Sequence, residues 1–223
     1  MCSSDLSPPD GSALGLAFLA AALAVALRAG AIPVHRWASR LGERLPILAL
    51  PVTFAWGPAV LAVVVLGWVD EGVVALGQPL AFERAAIAAI AVISIMFGAI
   101  AAFLHDDLDR VVAYSLTTDS GVMLLALAAG TPDAWAPVRI WVLAYIVAKS
   151  AFAGWVATVR ASFGTGSVPR LAGWARRSPL LAAGLVLVMI TSIGLPGLAA
   201  FDARSRLIEI ALDRKSTRLN FSH

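Results

Sequence analysis

The chain of 223 residues is 60% hydrophobic and 14% charged, with a mean hydropathy of +0.85, which excludes the balance of a soluble domain and describes a polytopic membrane protein. Its formal net charge of +3 is small and gives no reason to expect a nucleic-acid partner. The lone Cys2 excludes a disulfide framework and a cysteine metal site.

Residues 1–6 (MCSSDL) and 213–223 (DRKSTRLNFSH) are polar and unlike their apolar neighbours. Both resemble translated adapter sequence and are read as non-native tails, so residues 7–212 are expected to be one transmembrane domain, a fragment open at both ends. Six apolar segments follow in order: Ser12 to Arg28, Ile47 to Val69, Ala85 to Leu104, Val111 to Gly130, Val138 to Val159 and Leu180 to Leu212. Each is long enough for a helix across a ~30 Å hydrocarbon core. The expected fold is therefore all-α, a transmembrane helix bundle of about six spans with sequential neighbours antiparallel. Two spans are interrupted, the first at Gly30-Ala31-Ile32-Pro33 and the sixth at Gly194-Leu195-Pro196-Gly197. Unwound backbone at membrane depth must face a polar cavity or other protein, so paired interruptions point to a transport site rather than to simple proline kinks.

Loop charges orient the bundle. The linkers after segments one, three and five hold Arg36, Arg40, Arg44, Arg110, Arg160, Arg170, Arg176 and Arg177, whereas the opposite side holds Arg84 and Arg139. The positive-inside rule makes the arginine-rich side cytoplasmic.

Lys149 lies inside the fifth segment, about ten residues from the flanking Arg139 and Arg160. An ionisable group at that depth costs ~3 kcal/mol or more to insert and marks a functional-site candidate. Outside the C-terminal tail every other basic residue is arginine, and lysine, unlike arginine, releases a proton when desolvated. Asp119 occupies the middle of the fourth segment within the polar run Tyr114-Ser115-Leu116-Thr117-Thr118-Asp119-Ser120. Antiparallel helices put Asp119 and Lys149 at similar depth, where an ion pair acts either as a proton relay or as a static lock on helix register. Tyr145 precedes Lys149 by one turn on the same face, placing its hydroxyl to bond the amine or hold a water beside it. Arg28 and Arg204 accompany the two interruptions, and Arg204 is the channel candidate on its helix. His35, beside Trp37 at the cytoplasmic boundary, is either a proton shuttle or an interfacial anchor.

Several of these elements together resemble the antiporter-like subunits of respiratory complex I. Arg28-Ala-Gly-Ala-Ile-Pro-Val-His-Arg-Trp37 is similar to their K-x-A-x-x-P-x-H-x-W signature, and Asp109-Arg-Val-Val-Ala-Tyr-Ser115 with Gly121 to (D/N)-x-K-R-L-L-A-Y-S-(x)5-G. Tyr145-Ile-Val-Ala-Lys149-Ser-Ala-Phe152 resembles H-x-x-x-K-x-x-x-F. Leu171-Ala-Gly-Trp-Ala-Arg-Arg-Ser-Pro179, Ser192-Ile-Gly-Leu-Pro196 and Phe201 resemble L-x-G-L-x-x-x-x-P…S-L-x-G-I-P-P-x-x-G-F. The resemblance implies about helices seven to twelve of a fourteen-helix subunit, with the first and last of these discontinuous. It also implies a hydrated chain of buried charged residues along the membrane midplane, proton passage driven by quinone reduction elsewhere, and a prokaryotic plasma-membrane location. Its partners would be the other membrane-arm subunits, the lipid bilayer, and protons or, as an alternative, sodium ions.

This sequence departs from that pattern at particular positions. Arg28 replaces the helix-seven lysine, Pro58 a helix-eight lysine found in some members, and Asp109 the loop lysine. Asp119 replaces a histidine or glutamine, and Arg204 the helix-twelve lysine. Without a cysteine cluster or nucleotide-binding loop, the chain is expected to hold no cofactor of its own. Three functions stay open: a proton-translocating subunit of a complex I-type NADH:quinone oxidoreductase, a subunit of an Mrp-type cation/proton antiporter or membrane-bound hydrogenase, and a non-conducting scaffold of the membrane arm.

Overall fold

The computed structural model describes residues 11–42, 44–46, 49–74, 80–193 and 196–220. Among them the architecture is helical: α1 (Gly11–Ala29), α2 (Arg36–Gly42), α3 (Ala49–Val73), α4 (Ala81–Leu104), α5 (Leu108–Ala129), α6 (Pro132–Phe163), α7 (Pro179–Ile193) and α8 (Ala199–Asn220). The helices α1, α3, α4, α5 and α6 are each long and apolar enough to cross a bilayer. The sixth apolar segment is divided between the 15-residue α7 and the start of α8. Met1 to Leu6 and the Gly194-Leu195 half of the second interruption lie outside the described residues, while residues 213–220 continue α8 as helix.

The outer surface carries many large apolar side chains, with Leu16, Val64, Phe82, Phe103 and Leu180 all largely exposed. That pattern suits lipid as solvent, because a helix in hydrocarbon satisfies its backbone internally and needs no polar face. α5 is the central element, and residues Val122 to Ala129 are buried without a break around its circumference. It packs most extensively on α4, where a Cβ on Gly98 would lie 2.6 Å from the Thr118 amide and one on Gly121 2.6 Å from the Ala91 carbonyl. Only glycine permits this backbone approach, the small-residue contact that replaces hydrophobic drive between helices in a membrane.

Local sequence explains the helix ends. The Asp107 side chain accepts from the Asp109 and Arg110 amides, capping α5. Gly130, with φ of 48°, ends it in the left-handed conformation. In α6, Pro132 takes the first turn and Pro137 falls within the next, so most of its 32 residues follow unbroken. At the arginine-rich end, the α4–α5 and α6–α7 linkers are clipped together. Leu108 N–H donates to the Gly166 carbonyl at 3.0 Å, Val168 N–H to the Asp106 carbonyl at 2.8 Å, and Arg160 pairs with Asp109 at 3.0 Å.

The first interruption is a protein-lined break. α1 stops at Gly30, with φ of 71°, and the Ile32 amide donates to the buried Ser94 hydroxyl of α4 at 3.1 Å. Trp37 of α2 folds back, its indole N–H donating to the Leu27 carbonyl at 2.8 Å. Side chains thus satisfy the backbone groups that the helix end releases.

Candidate functional site

Ser115 and Asp119 are one turn apart on α5, on the face turned to α6. Lys149 approaches from α6, its Nζ 2.6 Å from Asp119 Oδ2 and donating to Ser115 Oγ at 2.8 Å. The Ser115 hydroxyl already donates to the Val112 carbonyl at 2.7 Å, so its lone pairs face the amine and the lysine supplies the proton of that bond. Lys149 is 5% exposed, buried in a chain that has α5 and α6 as neighbours in its centre. The pair therefore sits where an uncompensated charge would be most expensive.

Arg204, on the first turns of α8, completes a triad. Its guanidinium lies 3.9 Å from Asp119 Oδ1 and donates to the Ser192 carbonyl at 3.2 Å, one of the groups released where α7 ends. A single carboxylate thus faces two cations from different helices. A small cavity of about 20 Å³, lined by Asp119, Tyr145, Lys149, Ser192 and Arg204, has room for about one water at this junction.

Of the two roles its spacing offers, Tyr145 does not take the first, a direct bond from its hydroxyl to the lysine. Its hydroxyl donates to the Phe54 carbonyl of α3, its ring stacks on Trp141 with centroids 5.5 Å apart, and Lys149 Nζ stays 6.0 Å from the ring centroid. The reason lies in α3, where residues Val52–Trp56 are wound as a π-helix. The Gly57 amide bonds the Val52 carbonyl, five residues back. Pro58 has no N–H, so it can close neither an α-type bond to the Phe54 carbonyl nor a π-type bond to that of Thr53. Tyr145 takes the Phe54 carbonyl and Arg28 donates to Thr53 at 3.0 Å. Arg28 also lies flat against Gly57, where a Cβ would fall 1.8 Å from its Nη2.

Of the six residues singled out from the sequence, the structure brings Lys149, Asp119 and Arg204 into one cluster. Tyr145 borders it, and Arg28 is held on the neighbouring Thr53 carbonyl of the π-helical turn. His35 belongs elsewhere, in an aromatic group with Phe97 at 4.7 Å and Tyr114 at 6.3 Å between centroids. Its Nδ1 is buried without a hydrogen-bond partner, and burial followed by the neighbouring Arg36 charge lowers its pKa below 6.5.

Sequence reasoning missed Ser115 as a direct partner, although its spacing of four from Asp119 was visible. It also missed the Thr53 and Phe54 carbonyls, for which Pro58 was the only signal, and the Asp109–Arg160 pair, which joins residues 51 positions apart.

Fold and site together define a multi-pass membrane helix bundle with charged residues buried in its interior and broken helices beside them. The family model for the transmembrane region of NADH:quinone oxidoreductase and Mrp antiporter subunits matches residues 9–221, and the chain belongs to that family. The NADH-quinone oxidoreductase subunit N 2 of Acidobacterium capsulatum is 31% identical over 212 residues, covering 92% of this chain and 42% of its own length. Subunit N of Azorhizobium caulinodans is 32% identical over 201 residues, with 89% and 41% covered, and that of Laribacter hongkongensis 30% over 207 residues, with 90% and 40%. The chain spans about two-fifths of the length of these curated relatives.

Proposed function

We propose that the chain, over residues 7–212, is part of a proton-translocating antiporter-like subunit of a complex I-type NADH:quinone oxidoreductase. It would work in a prokaryotic plasma membrane beside other membrane-arm subunits, with the linkers after spans one, three and five in the cytoplasm. The observation that carries this reading is the buried Lys149, held by Asp119 at 2.6 Å and Ser115 at 2.8 Å, with Arg204 on the other carboxylate oxygen. Lys149 is the exchangeable site of this group, since arginine stays protonated and can only set the field. When Lys149 gives up its proton, Asp119 keeps a cation within reach in Arg204, so the carboxylate is not stranded at low dielectric. Arg28, fixed on the Thr53 carbonyl, supplies a constant positive field from the π-helical turn of α3.

Lys149→Ala in the complete protein, assembled with its partners, tests the proposal through proton pumping into membrane vesicles during quinone reduction. Reduced pumping per quinone reduced supports the relay. An unchanged stoichiometry sinks it and leaves the scaffold reading, which the two arginines at expected lysine positions favour. Pumping that follows an imposed sodium gradient in place of quinone reduction would assign a cation/proton antiporter instead.

A further inference from the structure

A second polar feature lies away from the charge triad, at the arginine-rich end of the bundle. It is a cavity of about 460 Å³ lined by Arg36, Trp37, Arg40, Leu41 and Arg44. The stride of four along α2 and the turn after it stacks the arginines along one side and places Trp37 and Leu41 beside them. Arg40 and Arg44 are exposed, whereas Trp37 is half-buried, pinned by its N–H on the Leu27 carbonyl and stacked on Phe54 at 6.5 Å. The cavity thus has a fixed aromatic and aliphatic wall and a movable guanidinium rim. Its depth in the membrane follows from its neighbours. Six residues separate it from the 19-residue α1 and four from α3, two helices long and apolar enough to span the bilayer. The break before α2 bonds Ser94, ten residues or about 15 Å short of the arginine-rich end of α4, so the linker runs from inside the membrane toward the headgroups of that face, with Arg40 and Arg44 further along it than Trp37.

We propose that this cavity binds the headgroup of an anionic phospholipid, with Arg40 and Arg44 on the phosphodiester and Trp37 and Leu41 against the glycerol and upper acyl chain. Guanidinium pairs with phosphate through two parallel N–H bonds, and an interfacial Trp suits the boundary between headgroup and acyl chain. The described lining is basic and apolar, three arginines with one Trp and one Leu. A lipid held here would lie against the break between α1 and α2 and brace Trp37, which itself covers Phe54 of the π-helical turn.

The test uses the complete protein in its membrane complex, extracted with native lipid into polymer nanodiscs, and measures retained phospholipids by mass spectrometry. Wild type is expected to retain phosphatidylglycerol or cardiolipin above its proportion in the bulk membrane. Arg40→Gln with Arg44→Gln should lower that enrichment roughly 10- to 30-fold, from the loss of two surface charges of ordinary strength. Arg176→Gln with Arg177→Gln, also exposed, should leave it unchanged. Equal enrichment in both double variants overturns the site, as does wild-type retention in bulk proportion, a reading that stands even if a variant fails to assemble. Displacement of the lipid by inorganic phosphate would mark a plain anion site and overturn the lipid assignment.

Discussion

Asp119→Asn and Lys149→Met remove opposite ends of one ion pair, yet the triad predicts unequal costs. Lys149 lies 2.6 Å and Arg204 3.9 Å from the two carboxylate oxygens. At equal effective dielectric the Arg204 attraction is about two-thirds of the Lys149 attraction. Removing Lys149 therefore leaves Asp119 with a second cation, which needs only a short side-chain movement to close on it. Removing Asp119 leaves the buried Lys149 ammonium facing the half-buried Arg204 guanidinium, with the Ser115 hydroxyl still bonded to the lysine and the Ser192 carbonyl to the arginine. Breaking a buried pair and stranding a charge costs about 3–5 kcal/mol, so Asp119→Asn should fall in that range and Lys149→Met at roughly 1–2 kcal/mol. Adding Lys149→Met to Asp119→Asn should recover part of the loss, because one of the stranded cations is gone. Equilibrium unfolding of the complete purified protein in mixed micelles, titrated with denaturing detergent, measures all three. Equal costs for the single variants, or a larger cost for Lys149→Met, would refute the shared carboxylate. So would strict additivity in the double variant.

Three further outcomes follow from the surroundings of the triad. Tyr145→Phe leaves the Phe54 carbonyl without its side-chain donor and should destabilise by about 1–3 kcal/mol in the same titration, whereas no change would mean that another group satisfies that carbonyl. Gly57→Ala forces Arg28 off the surface of α3 and away from the Thr53 carbonyl, and should cost roughly 1–3 kcal/mol; adding Arg28→Ala should then make the alanine nearly neutral. For His35, whose pKa is lowered by burial and by Arg36, the folded protein favours the neutral ring. Its contribution to stability is present above about pH 6.5 and is lost as pH falls through the lower folded-state value. Thermal stability should fall less steeply between about pH 7 and 5 in His35→Phe than in wild type, and parallel slopes would remove His35 from that dependence.

The sequence by itself determined what can be read from composition, length and local order. Runs of apolar residues can satisfy a bilayer only as helices, so the helix positions followed directly, to within a few residues for α1, α4 and α5. Charge at membrane depth is rare enough that Lys149 and Asp119 stood out, and antiparallel neighbours put them at one level before any contact was known. The tertiary structure decided where each hydrogen bond goes. Periodicity placed Tyr145 beside Lys149, but the hydroxyl turned to a carbonyl of α3, because Pro58 and the π-helical register release that acceptor where no water can reach it. Likewise, the sequence marks Arg204 as the channel candidate on its helix, but only the packing of α8 on α5 and α6 brings it to Asp119. Local sequence fixes which backbone groups are left over, but the partner that satisfies them is set by which helices meet, and that is a property of the packed bundle.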